Sequence, residues 1–315
     1  MTDSQSKTVS VLGGTGFVGQ AIVQAFQRQG WDVRTIPAPR LTFAGEIPES
    51  ALPTEAFTSE ILRLSQQLEG SAAVVNAAGD PNASSQNLTS MLGPNAALPV
   101  IVKRAAEIAK VARYVHVSSS VVQGDRAILD STPNVFPFSP YSEAKAFGEK
   151  WLLIEPSVVT TTTIYRPPSV HAVGRGVTEK IRSLAASPLS SVAGTGSSQT
   201  PQALLENVAD AVTFLVASPE QPPSIVHHPW EGLTCIELLR FLGNKEPRHI
   251  PRPLAKTFIK AVKITERPLK LIAPNRRRLE LLWFGQGVAP SWLEQAGWLP
   301  PLGKEKWIEL GQSPI

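Results

Sequence analysis

The chain has 315 residues, 42% apolar and 18% charged, with seven Trp and eleven Phe. That balance excludes wholesale disorder and supplies enough bulk for one large α/β domain or two lobes. A single cysteine, Cys235, excludes an intramolecular disulfide framework and a Cys-cluster metal site. No apolar run approaches the roughly 18–20 residues that span a bilayer. The polar start, Met1 to Lys7, lacks a charged segment followed by an apolar one, so the expectation is a cytoplasmic protein. Net charge is +4. It is uneven, with 13 basic and 5 acidic residues between Asn244 and Lys306, a local balance of +8 against −4 elsewhere.

Thr8 to Leu12 reads as a short buried strand, followed by Gly13-Gly-Thr-Gly-Phe-Val-Gly19. Ile22, Val23 and Phe26 mark a helix that Gly30 stops, and Trp31 to Ile36 reads as a second strand. The alternation continues with a helix over Thr54 to Leu68, a strand over Ala72 to Val75 and a helix over Ala96 to Ala109. Tyr114 to Val117 is the next strand, Tyr141 to Leu153 the next helix, and Val158 to Tyr165 a Thr-rich β-prone run. Such alternation predicts a Rossmann-type, doubly wound parallel sheet with helices on both faces. Beyond residue 166 the pattern grows irregular and rich in Pro, Arg and Trp, which predicts a smaller, mostly helical lobe. The expected division is a dinucleotide-binding domain over 1–167, to which 203–228 returns, and a substrate lobe from 168–202 and 229–315.

Glycines at 13, 16 and 19 let the chain turn tightly, let backbone approach a diphosphate, and let the next helix pack against the strand. Thr15, Phe17 and Val18 complete that turn, and the helix start offers free N–H groups to phosphate. A strand before it and a helix after it form the context for dinucleotide binding. Tyr141 and Lys145 stand at i and i+4, on one helix face. A phenol of pKa about 10 is a poor base at neutral pH, and a nearby ammonium favours its phenolate. Ser118, Ser119 and Ser120 close the preceding strand, where a hydroxyl can bond a substrate carbonyl or alkoxide.

The ordered segments are Gly13-x-x-Gly16-x-x-Gly19, Val75-Asn-Ala-Ala-Gly79, Val117-Ser-Ser-Ser-Val-Val-Gln-Gly124, Tyr141-x-x-x-Lys145 and Tyr165-Arg-Pro-Pro-Ser-Val170. Asn207-Val-Ala-Asp-Ala211 and Ala296-Gly-Trp-Leu-Pro300 follow. With these the chain resembles an extended short-chain dehydrogenase/reductase, and more narrowly the NAD-dependent epimerase/dehydratase family that acts on nucleotide sugars. The resemblance implies an NAD(P)-dependent oxidoreductase or epimerase for a nucleotide-diphosphate sugar. It implies Tyr141 as proton donor and acceptor, and Lys145 as the residue that binds the nicotinamide ribose and tunes Tyr141. Counting back from Gly124 favours Ser119 as the catalytic hydroxyl, with Ser120 and Ser118 as alternatives. Ala77, Ala78 and Gly79 would line the adenosine side, Arg166, Pro167 and Pro168 the loop beside the nicotinamide amide, and Asn95 a position near the active site. Relatives that pair through helices flanking the Tyr-x-x-x-Lys helix imply a homodimer.

Two departures bear on function. No acid follows the second strand, where NAD enzymes place one for the ribose 2′-hydroxyl. The stretch is Ile36-Pro-Ala-Pro-Arg40, and Arg40 suits a 2′-phosphate, so the expected cofactor is NADP, with NAD the alternative. NADP in turn favours keto-sugar reduction over epimerisation. Gln123 stands where the family commonly carries Tyr.

Ser120, His171 and Arg276 are the candidate substrate contacts, the last opening the run Arg276-Arg-Arg278. His116 reads as a packed strand residue, His227-His228 lacks further ligand spacing and predicts no metal, and Cys235 reads as core. Leu254, Phe258, Ile259 and Val262 oppose Lys256, Lys260 and Lys263, an amphipathic pattern that packs onto the larger lobe or rests on a membrane surface. No motif or aromatic interleaving supports nucleic-acid binding. The reading from another class is a non-catalytic NAD(P)-binding sensor or scaffold on the same fold.

Overall fold

The computed structural model describes residues 7–43, 47–48, 50–83, 85–154, 156–266 and 273–313, without the side chains of 263–266 and 273–275. Of the residues named above, the start 1–6 and the Lys263 side chain fall outside what is described, as do Arg267 and Lys270 of the basic stretch.

The first strand, β1 (Thr8–Leu12), is buried along its length and runs into α1 (Phe17–Arg28), which buries Gly19, Ile22, Ala25 and Phe26. There follow β2 (Asp32–Ile36), a short 3₁₀ turn leading into α2 (Thr58–Leu68), and β3 (Ala73–Asn76). The helix expected over 96–109 is α4 (Leu98–Ile108), and it is preceded by α3 (Leu88–Leu92) and a π turn over Gly93–Ala97. Then come β4 (Arg113–Val117), the short β5 (Ile128–Leu129), α5 (Pro140–Ile154) and β6 (Thr161–Arg166).

Six strands form one parallel sheet, and its sixth strand comes from beyond the irregular stretch. Before it lie β7 (Ser169–His171), α6 (Gly176–Ala186), β8 (Ser191–Ala193), β9 (Gln202–Leu204) and α7 (Leu205–Ala217). Then β10 (Ile225–His227) pairs with β6, giving the order β10-β6-β4-β3-β1-β2. The period of two along a strand sorts the core. Val9, Val11, Val75, Val115 and Val117 pack with α1 and α7, whereas Leu12, Val74, Tyr114 and Ile164 pack with α2, α4 and α5. Strand order reverses between β1 and β3, so the helices that follow them lie on opposite faces of the sheet, α1 in one core and α4 in the other, the arrangement that sets a crevice at the carboxyl ends of the strands.

The remaining elements are α8 (Cys235–Gly243), β11 (Arg248–Ile250), α9 (Arg252–Glu266), α10 (Ala273–Phe284), β12 (Gly287–Val288), α11 (Trp292–Gln295) and α12 (Lys304–Gln312). The second lobe carries more strand than its sequence suggests. Two short parallel pairs, β7 with β9 and β8 with β11, join its segments, and a third, β5 with β12, ties it to the chain between β4 and α5. Cys235 is buried in this lobe with Leu238, Leu242, Trp307 and Leu310. Two late motifs meet: Trp298 Nε1 donates to Asp210 at 2.8 Å, and Asn207 bonds the backbone of Leu302 in both directions.

Candidate active site

The glycine-rich turn has little room for any other residue. Gly13 has a φ of +77°, and a Cβ there would lie 2.5 Å from the Ala78 amide nitrogen, so the turns after β1 and β3 touch. A Cβ on Gly19 would fall 2.0 Å from the Gly13 carbonyl oxygen, which is why α1 can start so close to β1. The Gly16 amide closes the turn by donating to that carbonyl at 2.9 Å. Gly16 caps α1 without a side-chain bond, and no acid occupies the first turn. Thr15 and Gly16 are exposed, and Phe17 and Val18 half-buried.

Across the crevice, the Ala78 amide donates to Asn76 Oδ1 and fixes the start of the Ala77–Gly79 turn. A Cβ on Gly79 would meet Asn95 Oδ1 at 2.7 Å and Lys145 Nζ at 3.5 Å. Asn95 is fully buried in the π turn. Its amide nitrogen donates to the Asp80 carbonyl, but its Oδ1 accepts nothing among the described residues. A buried acceptor without a donor is costly, and such an atom at a cleft marks where a ligand donor belongs.

The serines divide by geometry. Ser118 is buried, and its hydroxyl donates to Glu149 at 2.5 Å, so its proton is already committed. Ser119 is half-buried and caps the short turn Ser120–Gln123 by accepting from the Val121 amide at 3.4 Å. Acceptance leaves its proton free to donate. The Ser120 amide is tied to the Pro167 carbonyl at 2.8 Å, which anchors the serine turn to the buried Pro167-Pro168 segment.

The helix α5 begins at a knot of bonds in which Ser142 Oγ accepts from the amides of Phe138 and Ser139. Its Ala144, Trp151 and Leu152 pack into the core. On its remaining face Lys145 is buried and donates to the Val117 carbonyl at 3.3 Å. Burial pushes the Lys145 ammonium down to about 8, against the pull of Glu149. Burial pushes the Tyr141 phenol up to about 12; the charge of Arg175 works against this and that of Asp80 adds to it. Without a ligand the phenol is therefore neutral, a proton donor in waiting.

Some of the expected contacts are placed elsewhere. Arg166 is 1% exposed and pairs with Glu149 at 2.6 Å, while its other amino group donates to the carbonyls of Asp130 and Thr132. Its guanidinium braces the strand end, and only the backbone of this segment lines the serine turn. His171 departs from the substrate role expected of it. It is fully buried, with its ring nitrogens bonded to Thr178 and Gln202, and lies tilted against the Trp307 ring, centroids 5.1 Å apart. Burial drops its pKa to about 4, with the Gln202 bond opposing, so it is a neutral core residue. Arg276 is half-buried and pairs with Glu280 at 2.9 Å, an i,i+4 contact within α10. Gln123 turns inward to bond Asp130 and the Asn134 carbonyl, holding a loop rather than facing a ligand. Arg40 is exposed and makes no ion pair among the described residues.

Two participants went unnoticed in the sequence. Glu149 stands one helical turn after Lys145 and two after Tyr141, a spacing that could have found it. Arg175 lies over the Phe17 ring at 4.4 Å, and no sequence signal separates it from its neighbours. Within the basic run Arg276-Arg-Arg278, it is Arg277 that donates to the Gly124 carbonyl at 2.7 Å, joining α10 to the serine turn.

The family model described as "NAD dependent epimerase/dehydratase family" matches residues 9–226, from the first strand of the sheet to the last. The chain belongs to this family. A search of curated proteins finds no match. Among solved structures, the Thermus thermophilus UDP-glucose 4-epimerase complex with NAD is 17% identical, with a TM-score of 0.63 over 98% of this chain and 100% of that one. The Bacillus cereus UDP-glucuronic acid 4-epimerase in complex with UDP-glucuronic acid and NAD is 15% identical, with a TM-score of 0.62 over 96% and 97%. The Bacillus anthracis dTDP-4-dehydrorhamnose reductase in complex with NADP is 13% identical, with a TM-score of 0.61 over 96% and 97%. At such identities the likeness is one of fold. It extends over the second lobe as well as the sheet of this epimerase/dehydratase family member.

Among the described residues no cluster of His, Cys, Asp and Glu could hold a metal. The adjacent histidines are each engaged: His227 with Ser131 and the Ala289 carbonyl, His228 with Tyr165 and Glu231. No described helix is long and apolar enough to cross a membrane.

Proposed function

We propose that the protein is an NAD(P)-dependent oxidoreductase or epimerase acting on a nucleotide-diphosphate sugar, and that its leading form is NADPH-dependent reduction of a keto-sugar. The observation that carries this reading is the orphaned Asn95 Oδ1 beside Lys145 Nζ, at the crevice bounded by the glycine turn and the serine turn. A donor-bearing ribose fits that acceptor. The turn residues Gly13, Thr15, Gly16, Phe17, Val18 and Gly19 would hold the dinucleotide's diphosphate, and Ala77, Ala78 and Gly79 its adenosine side. Asn95 and Lys145 would hold the nicotinamide ribose, next to the Pro167 backbone. When bound, the nicotinamide supplies the hydride acceptor or donor.

This chain's residues do the rest. Tyr141 gives a proton to the oxygen of the reacting carbonyl, or takes one from the corresponding hydroxyl. Ser119 donates to the same oxygen and stabilises its developing charge. Lys145 holds positive charge near the phenol and so favours phenolate. Residues 168–202 and 229–315 form the substrate lobe. His171 and Arg276 have no part in this reading, because their polar atoms are engaged within the fold.

Arg40 supports NADP: it is an exposed guanidinium after β2 with no ion pair among the described residues, and the segment between them, Pro37-Ala38-Pro39, has no acid to repel a 2′-phosphate. Calorimetric titration of NADPH and NADH into cofactor-stripped protein, with Arg40→Ala alongside, tests this. The expected result is a preference for NADPH that Arg40→Ala abolishes. A preference for NADH would move the reading to an epimerase, and binding of neither would overturn it.

A further inference from the structure

Arg175 is the one residue of the second lobe shown stacking on the glycine-rich turn. It lies in the loop between β7 and α6, where its amide donates to the Ala172 carbonyl at 3.2 Å and it caps α6. Its guanidinium carbon sits 4.4 Å from the centroid of the Phe17 ring, the first residue of α1. Its positive charge also acts on the Tyr141 phenol, opposing the rise that burial imposes.

The partners of this side chain set it apart. Arg126, Arg166, Arg182 and Arg277 each pair with a carboxylate, on Asp130, Glu149, Glu179 and Glu280 respectively. Arg175 is half-buried like some of these, yet among the described residues it pairs with no carboxylate and donates to no acceptor from its side chain. Part-buried cations are normally matched, because removing a charge from water is costly unless an anion compensates. A guanidinium lying on an aromatic face keeps its edge N–H groups outward in the fork that fits two phosphate oxygens.

We propose that Arg175 is the anion receptor of this crevice and binds a diphosphate laid past Phe17, so that the ligand ties the second lobe to the nucleotide-binding turn. The ligand class is a diphosphate ester, supplied by the dinucleotide or by the nucleotide sugar. This inference rests on the proposed function for the crevice, and it adds a residue carried by the opposite lobe. Bound diphosphate supplies the charge that Arg175 lacks within the fold, and the loop before α6 is then held against α1.

The test is titration of wild type, Arg175→Met and Arg175→Lys with NADPH and, separately, with UDP, at two salt concentrations. Arg175→Met is expected to weaken at least one ligand about 10–100-fold, the worth of one or two charged hydrogen bonds. Its affinity should also depend less on salt. Arg175→Lys, which keeps the charge but loses the fork, should fall between. Both variants should melt with the wild type, and if Arg175→Met fails to fold the Lys variant carries the comparison. Loss confined to NADPH identifies the dinucleotide as the source, and loss confined to UDP the nucleotide sugar. Equal affinities for both ligands in all three proteins overturn the inference. Wild type that binds UDP but no dinucleotide overturns the proposed function, while the variants still decide on Arg175. Wild type that binds neither ligand overturns both.

Discussion

Arg166 and Arg175 flank the short strand β7, and the fold treats them in opposite ways. Arg166 sits beneath the strand ends, with Glu149 and two carbonyls around its guanidinium. Arg175 lies on the Phe17 ring, with no carboxylate paired to it among the described residues. The first has every reason to stay and the second has donors to offer. A charged residue near a cleft therefore says little until its partners are counted: a satisfied cation supports the wall, and an unsatisfied one keeps its donors free. The serines repeat the lesson, since Ser118 is committed to Glu149 while Ser119 keeps its proton free.

The sharpest contrast should be between losing chemistry and losing scaffold. Tyr141→Phe is expected to lower turnover by about 10²–10⁴, the usual weight of a positioned acid or base. Dinucleotide affinity should hardly change, and steady-state assays beside calorimetry would show the split. On the scaffold side, Arg166→Met strands the Glu149 carboxylate in the interior and should cost about 3–5 kcal/mol in urea unfolding. Arg175→Met should leave unfolding within about 0.5 kcal/mol of wild type, because it breaks no pair. Comparable losses in the two variants would erase the distinction.

The serines offer a finer division. Ser119→Ala should lower turnover by about 10²-fold, as expected for one donor to a developing oxyanion, with stability nearly unchanged. Ser118→Ala should keep most turnover and instead cost about 1–3 kcal/mol of stability, because it removes a donor from the buried Glu149.

A further effect is in pH. His171 titrates at about 4 in the folded protein and about 6.5 when unfolded, so between these values the unfolded chain binds more protons. Its contribution to stability is full above pH 6.5 and is lost as pH falls through that window, at up to roughly 1.4 kcal/mol per unit. Melting temperatures from pH 7.5 to 4.5 should fall more steeply in wild type than in His171→Gln. Parallel curves would mean that His171 is not a buried neutral residue.

Much of the sheet and its flanking helices was legible because its signals are local. A strand of five buried residues, glycines at fixed offsets and apolar positions at helical spacing each depend on neighbours a few residues away. The same locality puts Tyr141 and Lys145 on one face of α5 and keeps Cys235 in a core. The short parallel pairs of the second lobe were not legible, since each joins segments far apart in sequence and none has a strong periodicity. The π turn that holds Asn95 was missed as well, because Pro94 and Pro99 interrupt an otherwise helical run without naming the geometry they impose.

The sequence by itself determined the order of elements, the parallel sheet, the glycine turn and the membership of a family, all of which rest on short-range pattern and composition. Only the tertiary structure decided which side chains remain available. Ser118 and Arg166 are consumed by Glu149, His171 by Thr178 and Gln202, and Arg276 by Glu280. Asn95 Oδ1 and Arg175 are left without a hydrogen-bond or ion-pair partner among the described residues. Availability depends on hydrogen-bond and ion-pair partners, several of them brought from distant parts of the chain. A donor's residue type is written in the sequence, whereas its satisfaction is a property of the folded neighbourhood.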